Sequence, residues 1–369
     1  MIIGIDLLWL RPGIVGGTES FIRNLMNGFA MYDTEDEFVL FAASDNAESF
    51  KEYEAYPNMS LCICDVECKK VANRILWENR KLDKVASGYK PDVMFIPVYS
   101  KPRSTSKLPY VSVIHDLQAL HYPAFFSRGK RLFLESRWKY TCKTSKAVVT
   151  DSNYCKKDLL KRYPFTEGKV HVLPVPVCPV LDKNEREEEI LDSMKVKKGE
   201  YYYCVSSLLP HKNLNTLLKV ISALKKTEPD VKLLLSGVGG NTKEFDETLK
   251  TLGIEEHVIS TGYVSGEKRD VLYRNCKLFL FPSIFEGFGM PPIEAMMLGK
   301  RVVMTKETCL SEITKNKAVY VNEPYNVGEW VDKIKYAQAL DECKESFEEY
   351  SLKQVTDGYV RLLRRTAQR

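Results

Sequence analysis

Short apolar runs alternate with amphipathic stretches from one end of this chain to the other. Such alternation predicts an α/β architecture with parallel sheets. In the first half, strands are expected at Ile2–Asp6, Phe38–Ala42, Val93–Ile96, Tyr110–His115, Ala147–Asp151 and Val170–Leu173. A helix fits Thr18–Tyr32, where Phe21, Leu25, Met26 and Phe29 fall on one face. The second half restarts with strand Tyr201–Ser206, helix Leu214–Lys225 and strand Val231–Ser236. Further strands follow at His257–Tyr263, Lys277–Pro282, Arg301–Thr305 and Ala318–Val321. Between the halves, the proline-rich run Pro174–Pro179 and the charged stretch Lys183–Glu189 read as a linker. The expectation is two doubly wound, Rossmann-like domains, residues 1–180 and 181–347, and a basic helical tail over 348–369. Two such domains offer a cleft at the carboxyl ends of their strands, the usual ligand site of open sheets.

Composition narrows the class. A chain of 369 residues, 44% hydrophobic and 28% charged, has enough apolar material for two cores. A net charge of +5 is too mild to point to nucleic acid. The start, Met1-Ile2-Ile3-Gly4-Ile5-Asp6, has no basic region and reads as a core strand rather than a signal peptide. No apolar run approaches the roughly 20 residues that span a bilayer. Ten cysteines without a secretion signal suggest reduced thiols and a cytoplasmic protein. Cys62, Cys64 and Cys68 form the one cluster, and their spacing suits buried thiols better than a metal site.

The most informative segment is Phe285-Glu286-Gly287-Phe288-Gly289-Met290-Pro291-Pro292-Ile293-Glu294-Ala295-Met296. Two carboxylates bracket a glycine-rich turn after an apolar strand, and a helix begins at the prolines, which suit a first helical turn. Glycines let backbone N–H groups approach a ligand, and a helix N-terminus attracts anions. Carboxylates repel phosphate, but they accept hydrogen bonds from hydroxyls. A nucleotide sugar supplies both phosphate and hydroxyls. Two merely solvated glutamates are the alternative.

This run resembles the Glu-x7-Glu signature of retaining glycosyltransferases of family 4, enzymes of the two-domain GT-B fold. The resemblance implies roles for several residues. Lys212, in Leu209-Pro210-His211-Lys212-Asn213, matches the family's basic residue on the donor diphosphate. The Arg that often accompanies it is replaced by Ser206, Ser207 or His211, which leaves His211 as a partial substitute. Glu294 matches the residue that binds ribose hydroxyls, and Glu286 the one near the transferred sugar. Backbone amides across Gly287, Phe288, Gly289 and Met290 would meet sugar or phosphate oxygens. His115 matches a histidine facing the transferred sugar, with Asp116 available to fix its tautomer. Gly16 and Gly17 resemble a glycine pair beside the diphosphate, and the preceding loop Leu7–Val15 is the natural place for an acceptor. The last helix of such a fold returns to the first domain.

The expected enzyme transfers a hexose with retention from a nucleotide diphosphate sugar to a saccharide or lipid-linked acceptor. Ile114-His115-Asp116-Leu117-Gln118-Ala119-Leu120-His121-Tyr122-Pro123 resembles the mannosyltransferase-like branch that builds bacterial surface polysaccharides, which makes GDP-mannose the leading donor. No metal or other cofactor is expected, since cations and helix dipoles neutralise the diphosphate. Two other readings remain open: a GT-B epimerase or hydrolase of UDP-sugars, and a non-catalytic nucleotide-sugar-binding scaffold. The turn Gly237-Val238-Gly239-Gly240 breaks the dinucleotide pattern at Thr242, which disfavours a dehydrogenase. Between Arg128 and Lys146, seven Lys or Arg face one Glu among Leu132, Phe133, Leu134 and Trp138. That stretch reads either as a solvated basic helix or as a peripheral contact with an anionic membrane surface.

Overall fold

A computed structural model describes residues 1–14, 16–103, 107–179, 186–238, 243–341 and 344–368. Part of the expected linker lies outside these residues, as do Val15 of the loop Leu7–Val15, Gly239, Gly240 and Thr242 of the glycine turn, and the last residue of the tail. Over the described residues the chain forms two units, each built on a parallel sheet. The first comprises Met1–Pro176 and the stretch from Glu348; the second comprises Val177–Phe347. The first unit therefore ends at Pro176 rather than at the expected residue 180.

The first sheet contains β1 (Ile2–Asp6), β2 (Glu37–Ala43), β3 (Met59–Cys64), β4 (Val93–Ile96), β5 (Tyr110–Val113), β6 (Ala147–Thr150) and β7 (Val170–Val172). Their order is β3-β2-β1-β4-β5-β6-β7, so the winding reverses between β1 and β4. Strand β3 is not among the expected strands. It is an edge strand in which Ile63 is exposed and Cys62 and Cys64 are buried, so it alternates where the inner strands are continuously apolar. The helix Leu352–Ala367 belongs to this unit. It packs on helix Gly17–Tyr32 so closely that a Cβ on Gly28 would overlap Thr356 Oγ1. Tyr359 sits between Phe21 and Phe95, with ring centres 6.0 and 5.5 Å away. Arg364 pairs with Asp33 and Asp36 at 3.1 and 2.8 Å.

The second sheet contains β8 (Tyr202–Val205), β9 (Leu233–Ser236), β10 (Val258–Gly262), β11 (Leu278–Phe281), β12 (Val302–Thr305) and β13 (Val319–Val321). Their order is β10-β9-β8-β11-β12-β13, and this sheet reverses between β8 and β11. Leu217, Leu218, Ile221 and Leu224, together with Leu233, Leu235 and Trp330, close a core on one face. Open sheets bind ligands at the carboxyl ends of the strands flanking such a reversal. The residues singled out in the second half follow those two strands.

Candidate functional site

In the second unit, β8 leads through Ser206–Leu209 into a single turn, Pro210–Lys212, and then into helix Leu214–Leu224. Asn213 joins turn to helix in the left-handed conformation (φ +52°), and its Oδ1 accepts from the Thr216 hydroxyl at 2.7 Å. On the neighbouring strand, β11 leads through Ser283–Gly289 into helix Met290–Met297. Gly289 has φ +98° and caps that helix, and a Cβ there would lie 3.0 Å from Leu310 Cδ2. Only glycine suits both demands. The two loops are stitched together: Ile284 N–H donates to the His211 carbonyl at 2.8 Å.

This stitching sets Lys212 Nζ 2.7 Å from Glu286 Oε1. Both side chains keep some exposure, so the pair faces solvent at the loop ends. Glu286 N–H donates to Thr308 Oγ1 at 3.2 Å, and the Cys309 thiol donates to the carbonyls of Glu286 and Phe288 at 3.2 Å each. The glycine turn is thus held from below. Gly287, Phe288 and Gly289 are buried, and Met290 is half-buried.

Glu294 lies one turn into its helix and is buried. Arg269 Nη2 pairs with its Oε1 at 3.1 Å, and the Tyr273 hydroxyl donates to its Oε2 at 3.0 Å. Burial raises the Glu294 pKa above the usual carboxylate value. Arg269 opposes that rise, Asp270 adds to it, and the Tyr273 hydroxyl opposes it. Arg269 and Tyr273 project from one face of helix Gly266–Asn275, and sequence reasoning singled out neither. A carboxylate has about four acceptor positions, so Glu294 retains capacity for hydroxyl donors.

His211 does not replace the missing cation. Burial, and then the Lys212 ammonium, push its pKa down to about 4, although Glu286 pulls the other way. It is neutral at physiological pH.

In the first unit, Gly16 adopts φ +59°, ψ −129°, a conformation in practice open only to glycine, and Gly17 starts the helix. A Cβ on Gly16 would meet nothing within 4 Å. His115 follows β5, and both its ring nitrogens are engaged: Nδ1 with Asp151 Oδ2 at 2.7 Å and Nε2 with the Pro97 carbonyl at 3.0 Å. Phe21 packs edge-on against the ring at 5.1 Å. Asp151, not the expected Asp116, therefore sets the ring's orientation. Asp116 Oδ1 accepts from Gln118 N–H at 2.8 Å. Two acceptors on one imidazole favour the doubly protonated ring. Burial works against that charge, but Asp151, helped by Asp116 and the Pro97 carbonyl, raises the pKa above 6.5.

Among the described residues, no group of three or more His, Cys, Asp or Glu is placed to hold a metal ion. A hollow of about 750 Å³ lies at the other end of the second sheet, lined by Tyr202, Glu228, Lys232 and Lys277 near the strands' amino ends. It is remote from Lys212 and Glu286 and takes no part in the site.

A family model described as "Glycosyltransferase Family 4" matches residues 15–181, and one described as "Glycosyl transferases group 1" matches residues 185–354. The chain belongs to glycosyltransferase family 4. An O-antigen chain mannosyltransferase, RfbU, of Salmonella typhimurium is 27% identical to this family 4 chain over 241 residues, 64% of this chain and 63% of the relative. O-antigen chain mannosyltransferase B of Escherichia coli is 24% identical over 59% of this chain and 58% of the relative. The matches therefore span about three fifths of those two relatives. Among solved structures, Anabaena HepE in complex with UDP-glucose superposes with a TM-score of 0.74 at 16% identity, covering 99% of this chain and all of that one. WaaG, a glycosyltransferase involved in lipopolysaccharide biosynthesis, gives 0.68 at 14% identity over 99% and 95% of the two chains. The fold is of the GT-B type.

Proposed function

We propose that this chain transfers a hexose, with retention, from a nucleotide diphosphate sugar to a saccharide or lipid-linked acceptor. The observation that carries the reading is the meeting of Lys212 and Glu286 at the carboxyl ends of β8 and β11, with Glu294 one helical turn beyond. That arrangement offers a cation for a diphosphate and carboxylates for hydroxyls within one glycine-lined turn. Mannose from GDP-mannose is the leading donor, a choice supported by the mannosyltransferases the chain resembles. HepE's complex with UDP-glucose makes uracil the base to test against guanine.

In the transfer, the bond between the anomeric carbon and the donor phosphate oxygen breaks, and an acceptor hydroxyl oxygen bonds to that carbon. The acceptor proton leaves with the phosphate. Lys212 offsets the charge growing on the diphosphate, and the turn's N–H groups orient the sugar. Glu286 positions hydroxyls and forms no covalent bond. The reaction requires no metal ion.

We place the enzyme in the cytoplasm, at the surface of an anionic membrane. Leu132 is 67% exposed, and Phe125, Phe133 and Phe165 are also exposed, beside Lys130 and Lys139. Exposed apolar side chains among cations suit an interfacial contact. No helix among the described residues is long and apolar enough to cross a membrane.

Thermal unfolding with GDP, UDP, ADP and dTDP and their sugar conjugates tests the reading. A nucleotide at about 100 times its dissociation constant stabilises by roughly 2.7 kcal/mol. One nucleotide should stabilise the wild type and much less the Lys212→Ala variant. A flat panel with folded protein would count against the donor site. Turnover, measured with and without acceptor, separates transferase from epimerase or hydrolase. NMR of the product's anomeric proton reports retention.

A further inference from the structure

The first unit gathers cations that the donor chemistry leaves unused. Lys101 Nζ lies 4.3 Å from the centre of the Tyr110 ring and 5.5 Å from that of Tyr140. The guanidinium carbons of Arg103 and Arg137 lie 5.8 and 5.9 Å from the same Tyr140 centre. Three cations thus surround one aromatic ring, which favours them individually but does nothing for their mutual repulsion. Among the described residues, none of the three makes an ion pair. Arg137 uses one amino group on the Lys101 carbonyl, and its Nε, although buried, has no partner.

The carboxyls that act on the cluster are Asp83, on Lys101, and Glu78, on Arg137; Asp83 also accepts from the Tyr110 hydroxyl. Glu78 is committed to Arg74, at 2.9 Å, and Arg74 Nε is a second buried donor without a partner. Burial, and then Asp6, raise the Glu78 pKa; burial raises that of Asp6 to about 6. Burial brings the Lys101 pKa down to about 8; Asp83 opposes that fall, and Arg137 adds to it more weakly.

The place in the fold matters as much as the charge. Lys101 lies just beyond β4, and Asp6 ends β1. These are the strands between which the first sheet reverses, where open sheets hold ligands. Arg103 is exposed, whereas Lys101 and Arg137 are buried, so the cations lead from the surface inward.

We propose that Lys101, Arg103 and Arg137 form an anion site for a phosphoryl group carried by the acceptor. A phosphoryl group presents three oxygens in a pyramid and can face three cations at once. A carboxylate offers two oxygens in one plane and is satisfied by a single forked Arg. The source is either a soluble saccharide phosphate or a lipid-linked saccharide diphosphate. The assignment to an acceptor rests on the glycosyltransferase reading; phosphate binding does not.

Buried Trp77 and Trp138, beside Glu78 and Arg137 in the chain, provide an optical report. Titration with inorganic phosphate should give a saturable fluorescence change in the wild type and in Lys212→Ala, whose donor site is impaired. Arg137→Gln and Lys101→Gln should each weaken apparent affinity by about tenfold or more, the scale of one charge-assisted hydrogen bond. No saturable change, or equal affinity in every variant, overturns the site. If the buried variants fail to fold, exposed Arg103→Gln decides, and unaltered phosphate affinity there overturns it. With active enzyme, Arg103→Gln should raise KM and leave kcat unchanged. The effect should appear for a saccharide 1-phosphate in solution or for a polyprenyl diphosphate saccharide in vesicles, which identifies the source. Unchanged KM for both overturns the assignment to acceptor. Phosphate binding without any turnover would instead count against the glycosyltransferase reading and leave the anion site supported.

Discussion

Lys212 and Glu286 neutralise one another across 2.7 Å, although one is suited to phosphate and the other to sugar hydroxyls. A donor must therefore draw Lys212 from its partner, so the two substitutions should differ in sign. Lys212→Ala should weaken binding of the nucleoside diphosphate by roughly 10- to 100-fold, the worth of a charge-assisted hydrogen bond. Glu286→Gln should leave that affinity equal or improved while turnover falls. Calorimetry with the diphosphate, beside initial rates with the sugar nucleotide, checks both.

Arg269 holds Glu294 as a buried ion, and removing one member of such a pair leaves an uncompensated charge. Arg269→Met should cost about 3 kcal/mol or more of unfolding free energy. Adding Glu294→Gln should restore part of it. Urea denaturation of the two variants measures this, and equal stability of single and double variants would contradict the pairing.

Two histidines give the stability profile opposite slopes. The folded pKa of His115 is raised above 6.5, so its contribution is fully present below pH 6.5 and is lost as pH rises through the raised value. His211 is pushed down to about 4, so its contribution is lost as pH falls from 6.5 towards 4. Melting temperatures from pH 4 to 9 should show His115→Gln flattening the alkaline side of the profile and His211→Asn the acidic side.

Gly28→Ala would normally stabilise a helix. Here the new methyl group overlaps Thr356 Oγ1, and overpacking of this kind costs about 1–3 kcal/mol. Thr356→Ala in the same chain should relieve the overlap and recover most of the loss in thermal unfolding.

Leu132→Glu, at a highly exposed apolar position, should leave the melting temperature unchanged. It should abolish sedimentation with vesicles containing phosphatidylglycerol. Binding equal to wild type would remove the membrane contact from the proposal.

The strands that flank both sheet reversals were legible because inner parallel strands are apolar on both faces, as in Leu278-Phe279-Leu280-Phe281. Glu286 and Glu294 were legible because turn, glycines and helix start lie within one short segment. Partners set by tertiary contact were not. Asp116 adjoins His115 in sequence, but neighbours along an extended chain point to opposite sides. Asp151 is the partner because β5 and β6 run parallel with Val113 opposite Val149, which carries His115 and Asp151 to the same level. Arg269 reaches Glu294 from a separate helix, and no local spacing announces it. His211 carries the right residue type in the right motif, but its burial cancels the charge that the motif suggested.

The return of helix Leu352–Ala367 to the first unit also bears on how the chain matures. On the ribosome, every strand of the second sheet emerges before this helix does. The second unit can thus finish folding while Phe21 and Phe95 still await Tyr359. Until translation reaches that residue, the first unit presents an open apolar face, the natural point of attack for proteases and the natural foothold for chaperones.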